Sequence, residues 1–138
     1  MNPSPAVRRV FLAVAVLLLL GLTWTGVSGG LHQIPQSHTP GEWIQTIAQL
    51  GYGMLSLLSV LTSVRGRRWG PPILACWVVS VTIAAGLAAV VWGGTTVGVG
   101  VVSAGVSLLV ALAIVWLLRA GLAASPAPAA GGRSRVDR

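Results

Sequence analysis

Arg8-Arg9-Val10-Phe11-Leu12-Ala13-Val14-Ala15-Val16-Leu17-Leu18-Leu19-Leu20-Gly21-Leu22 sets two arginines against an apolar run that continues to residue 28. Four consecutive leucines are apolar on every side, whereas a membrane β-strand alternates apolar with polar over about 10 residues. The run therefore reads as a helix, which satisfies its own backbone hydrogen bonds in hydrocarbon. Further apolar runs follow over residues 43–64, 73–92 and 97–118. Each approaches the ~20 residues that a helix rising ~1.5 Å per residue needs to cross ~30 Å of hydrocarbon. The sequence predicts an all-α membrane protein, a four-helix transmembrane bundle of antiparallel up-down topology with both termini inside. Its helices fall at about 8–28, 42–64, 72–93 and 97–119 of a domain over residues 1–122.

Composition agrees. Of 138 residues 54% are hydrophobic and 8% charged, where a soluble domain carries roughly 25% charge. Lysine is absent, and nine arginines stand against one Glu and one Asp, for a formal charge of +7. Nucleic-acid binding is not implied, because a basic module clusters its charges on a soluble face and every arginine here flanks an apolar run or lies in a terminal segment. Arg8 and Arg9 precede the first run, Arg65, Arg67 and Arg68 lie between the second and third, and Arg119, Arg133, Arg135 and Arg138 follow the fourth. All nine fall on one side, which the positive-inside rule assigns to the cytoplasm. The tryptophans fit as interfacial anchors at headgroup level, Trp24, Trp43 and Trp92 at the outer ends and Trp69, Trp77 and Trp116 at the inner ends. A cleaved signal peptide is the competing reading of the first run, with Val27-Ser28-Gly29 small enough for cleavage, but Trp24 and Thr25 make a poor approach to it. The run is kept as a span. Residues 123–138, rich in Pro, Ala and Gly with three arginines, are expected to form a disordered basic cytoplasmic tail. The absence of lysine and the Ala/Arg/Gly/Val bias point to a bacterium of high GC content and hence to its inner membrane.

Helix boundaries carry their own signals. Thr39-Pro40-Gly41-Glu42 has the form of a capping box, Pro71-Pro72 opens the third helix, and Gly93-Gly94-Thr95-Thr96 supplies a tight turn before the fourth.

Glu42, Gln45, Gln49, Tyr52, Ser56, Ser59 and Ser63 recur at alternating steps of three and four and so share one face of the second helix. In lipid such a face turns toward other helices, a cavity or a partner. It reads either as a packing seam or as a ligand groove. The third helix offers small residues at Ala75, Val79, Thr82, Gly86, Ala89 and Gly93, read as the matching surface, and the fourth adds Gly100, Ser103, Ala104, Ser107 and Ala111. The first helix, rich in leucine and valine, is expected at the periphery, with Gly21 and Gly26 its only small breaks.

No charged residue or histidine lies inside any run, which removes the usual mark of ion coupling, proton relay or haem ligation. Small multidrug exporters have this length and helix number but rely on a glutamate in the first span, where this chain has none. His32 and His38, in the outer loop over residues 29–41, could meet Glu42, but a spacing of six through Pro35 matches no metal-ligand pattern. Cys76, the only cysteine, reads as a small packing residue. No nucleophile triad, P-loop or carboxylate pair occurs, so neither enzymatic activity nor a cofactor or metal is expected. In helix count alone the layout resembles small four-helix bacterial membrane proteins such as the DoxX-like group, which implies no functional residue. The expected role is a structural or accessory subunit of a larger membrane complex, with lipids and other transmembrane subunits or further copies of itself as partners. The alternative is a small transporter or a lipophile-binding bundle, for a quinone or lipid, that uses Gln45, Gln49 and Tyr52. A void beside Gln49 and Tyr52 favours the alternative; serines packed on Gly86 and Ala89 favour the subunit.

Overall fold

Ser4 and Pro5 start the first helix, ahead of where hydropathy places it. Ser4 Oγ accepts the Val7 N–H at 3.4 Å, and Pro5 brings its preset φ to the first turn. The computed structural model describes residues 4–65 and 70–123. In it α1 runs over Pro5–Gln33 and a single 3-10 turn, Ile34–Gln36, continues it; α2 covers Pro40–Val64, α3 Gly70–Val91 and α4 Val97–Leu122. Trp69, Arg67, Arg68 and the expected tail from residue 124 onward lie outside the described residues.

The helices contain 22 to 29 residues. At ~1.5 Å per residue that is about 33 to 43 Å, and all four are long and apolar enough to cross a membrane. The chain is thus a bundle of four apolar helices. α1 passes through Gly29 and Gly30, read from sequence as loop, because these glycines lie against α2: Gly30 is buried, and a side chain on it would run into Leu50.

The remaining ends follow local chemistry. Glu42 N donates to Thr39 Oγ1 at 3.3 Å, and Glu42 Oε2 accepts the N–H groups of Thr39 (2.8 Å) and His38 (2.7 Å), so the capping box forms as spelled. After α3, Gly94 turns the chain at φ 58°, a conformation open to glycine at no steric cost. Gly93 N–H reaches Ala88 O, and both the Thr95 N–H and its hydroxyl reach Ala89 O, which satisfies carbonyls left over at the helix end.

α1 and α3 each pack against both α2 and α4, closing a ring of four. The peripheral place expected for α1 is therefore corrected: Ala15, Leu19, Gly26 and Gly30 are buried in the bundle. A Cβ on Gly26 would stand 2.7 Å from the Gly53 Cα, so two glycines bring α1 and α2 to backbone contact. The α3 stripe is redirected as well. A Cβ on Gly86 would stand 3.3 Å from Gly100 O and 3.2 Å from the Ala104 side chain, so this face serves α4 and not α2. Ser103 ties the same pair by donating to Ala85 O at 3.1 Å.

A cluster of Ala15, Leu19, Leu74, Trp77, Ala111, Ile114 and Leu118 fills one part of the interior, flanked by Leu55 and Val60. Elsewhere the distribution inverts that of a soluble protein. Gln45, Thr46, Ser56 and Ser59 are buried while Leu17 is 68% exposed, and Val101, Val102 and Leu109 face outward too. Such an exterior suits hydrocarbon, and an interior of small and hydrogen-bonding residues is what holds helices together there.

A candidate ligand void on the polar face of helix two

None of the seven stripe residues is exposed, yet they do different things. Ser56 is consumed by packing: its hydroxyl donates to Tyr52 O at 2.8 Å and accepts the Trp77 indole N–H at 2.6 Å. Trp77 is 0% exposed, so its reading as an interfacial anchor is corrected. A buried indole needs an acceptor, and Ser56 supplies it across the α2–α3 contact. Ser59 is buried with no partner for its hydroxyl, and Ser63 lies near Gly70 at the start of α3. Trp24, Trp43, Trp92 and Trp116 are exposed, and the Trp116 ring meets Phe11 at 5.7 Å between centroids.

The first half of the stripe surrounds space. Gln45, Gln49 and Tyr52 line a void of about 270 Å³ together with Leu22 of α1, Val81, Ala84, Ala85 and Ala88 of α3 and Ser107 of α4. Every helix contributes to the wall. Gln45 Nε2 donates to Gln49 Oε1 over a long 3.4 Å, which leaves Gln45 Oε1 without a partner although the residue is 1% exposed. Among the described residues, the buried side-chain atoms without a partner are Gln33 Oε1, Gln45 Oε1 and Ser59 Oγ. Of these residues Gln45 is the one that lines this void.

Glycines of α1 set the polar wall in place. A Cβ on Gly26 would lie 2.8 Å from the Tyr52 ring, and one on Gly29 would collide with the Gln49 amide. The Tyr52 ring and the Gln49 amide thus occupy room that only glycine leaves. Thr46, next to Gln45 and fully buried, anchors the start of α2 through a 2.8 Å hydroxyl contact with Ser37. Sequence reading missed Thr46, Ser37 and the Gly26–Gly53 contact. The signal available was the clustering of glycines in both helices, at 26, 29 and 30 and at 51 and 53.

A second void, of about 130 Å³, is lined by Leu22, Trp77, Val81, Val106, Ser107, Val110, Ala111 and Ile114. It shares Leu22, Val81 and Ser107 with the first. No wall residue of either void carries a charge. A room of polar amides opening beside an apolar one can take up a small molecule that is mostly hydrocarbon and hydrogen-bonds at one end.

Other candidates from the sequence come apart. The His32 ring lies 3.3 Å from the Gln36 amide on the last turn of α1, and the Glu42 carboxylate is engaged with backbone N–H groups. No group of three or more His, Cys, Asp or Glu able to hold a metal occurs among the described residues. Cys76, expected to be a small packing residue, is exposed on α3.

No family model, curated protein or solved structure matches this chain.

Proposed function

We propose that this chain is a multi-pass membrane protein that binds a small lipophilic molecule between its helices, in the void beside Gln45, Gln49 and Tyr52. The observation that carries this reading is a void of about 270 Å³ walled by all four helices, with Gln45, Gln49 and Tyr52 on one side and Leu22, Val81, Ala84, Ala85, Ala88 and Ser107 on the others. An accessory-subunit role would have the whole stripe absorbed into helix contacts. Gln49 and Tyr52 are only half-buried and line the void, and the Gly86 face meets Gly100 and Ala104 of α4.

The arrangement we propose is antiparallel and up-down, with both termini on the cytoplasmic side of a bacterial inner membrane. Arg8 Nη1 donates to Ala123 O at 2.6 Å, and a Cβ on Gly121 would stand 2.7 Å from Leu12 N, so the start of α1 meets the end of α4. Gly70 lies beside Thr62 and Ser63. These contacts support one arginine-bearing end of the bundle, and the positive-inside rule supplies its orientation.

Filling the void tests the binding proposal. Native mass spectrometry of the detergent-solubilised chain is expected to detect a bound lipophile or added alkyl alcohol, and Ala88→Phe, which projects a ring into the void, is expected to abolish that binding. Gly21→Phe, at a position with open space around it, is expected to leave binding intact. Equal binding by the Ala88→Phe variant and the parent would contradict the proposed site.

A further inference from the structure

We propose that the chain holds an anionic phospholipid in an outward groove between α3 and α4, with an acyl chain along the groove and the phosphate at Arg119. This rests on the chain crossing a membrane and does not draw on the interior void.

The groove has a volume of about 380 Å³. Pro71, Ala75 and Val79 of α3 and Leu112 and Arg119 of α4 line it and are exposed, while Leu74, also in its wall, is buried. Its floor therefore lies against the bundle and its mouth faces the surroundings. From Pro71 to Val79 the wall follows about 12 Å of helix rise at ~1.5 Å per residue. Every wall residue except Arg119 is apolar, so an acyl chain laid along it gains close contact on both sides.

Arg119 supplies the charge. It stands in the last turn of α4, and Pro71 across the groove belongs to the first turn of α3, so the guanidinium and the positive end of a helix dipole share one end of the groove. Among the described residues the only acid is Glu42, which lies at the start of α2, away from Arg65 at its other end, and accepts two backbone N–H groups. No described carboxylate neutralises Arg119. A guanidinium stays protonated, and its planar fork matches two phosphate oxygens. Arg8, whose guanidinium meets Ala123 O, brings further positive charge to the same end of α4. A headgroup that adds an ammonium to its phosphate meets repulsion there, and one whose only charge is the phosphate does not.

A second outward groove on the same helix pair, beside Gly86 and Gly100 and with a volume of about 340 Å³, has no charged residue in its wall. It suits hydrocarbon from any lipid. Arg119 is thus the feature that makes the first groove selective.

The test titrates the full-length chain in non-ionic micelles with phosphatidylglycerol and phosphatidylcholine of the same acyl chains and reads the lipid adducts by native mass spectrometry. The parent is expected to bind phosphatidylglycerol about fivefold more tightly, the scale of one arginine acting at a membrane surface. Arg119→Gln is expected to bring the two lipids to equal affinity. Arg9→Gln, at an exposed position of α1 outside the groove, is expected to keep the preference, and Ala75→Trp, which fills the groove and spares the arginine, to weaken binding of both lipids. Equal binding of the two lipids by the parent, or a preference that Arg119→Gln retains, overturns the headgroup assignment. A preference that Arg9→Gln abolishes as well, or lipid binding that Ala75→Trp leaves unchanged, overturns the groove, since a diffuse basic surface then attracts the lipid. A dimer in the same spectra that Ala75→Trp dissociates overturns it too, by seating a second copy there. Ala88→Phe, which fills the interior void, is expected to leave phospholipid binding unchanged, so this site and the interior one are read separately. The comparison of the two lipids uses the unaltered protein, so it decides the headgroup whatever the variants do.

Discussion

Ser56 and Ser59 are the same residue type on the same helix face, both 0% exposed, and yet they are opposite cases. Ser56 accepts the Trp77 indole and donates to a carbonyl, whereas Ser59 Oγ has no partner. Removing Ser56 strands a buried indole N–H, which costs about 1–3 kcal/mol. Removing the Ser59 hydroxyl deletes a group that was already unmet. Ser56→Ala is thus expected to lower resistance to denaturing detergent, and Ser59→Ala to leave it unchanged or slightly raised. Trp77→Phe combined with Ser56→Ala is expected to cost less than the two single changes added, by about 0.6 kcal/mol and at most ~1.7, the range seen for hydrogen bonds between membrane helices. Strict additivity would contradict the pairing. The face carrying Ser56 was legible in the sequence because it needs only the helical period. The partner was not, since a tryptophan near a helix end reads equally well as a headgroup anchor until the rotation of α3 is known.

Between elements, glycines decide which helices touch. Gly26 and Gly53 bring α1 and α2 to backbone contact, and Gly86 with Gly100 does the same for α3 and α4. Gly26→Leu is expected to force α1 off α2, to lower the melting temperature of the purified protein by several degrees, in keeping with overpacking costs of about 1–3 kcal/mol, and to disturb the Tyr52 ring that lies over Gly26. Gly21→Ala, five residues away with nothing within 4 Å of its added methyl, is expected to leave the melt unchanged. If both variants melt alike, the seam is misplaced. Sequence reading saw small residues on α2, α3 and α4 but placed leucine-rich α1 outside, because a small residue marks a close approach only once its neighbour is known. It likewise took Gly29 and Gly30 for a loop, where a helix gains contact by continuing through them. Chain ends written in local chemistry, the capping box at Thr39 and the turn at Gly94, were readable in full.

For the molecule as a whole, polarity is sorted by solvent. Trp24 is 74% exposed and Leu17 68%, while Gln45, Ser56 and Ser59 lie inside. That inversion, the lengths of the helices and the placement of arginines at their ends were visible in residue order alone. The void was not, because it arises where the rotations of four helices leave Ala84, Ala85 and Ala88 facing Gln45 and Gln49 across a gap. Binding in that gap presupposes four crossings, since the same polar wall in a chain of different topology would face other surroundings. Cysteine accessibility from outside intact cells tests the crossings most directly, with single cysteines placed at His38, Thr95 and Arg65 in a Cys76→Ala background and labelled with a membrane-impermeant maleimide. Labelling at residues 38 and 95 in intact cells, with residue 65 reached only after permeabilisation, is the expected outcome; labelling of residue 65 from the same side as residue 38 would contradict the account.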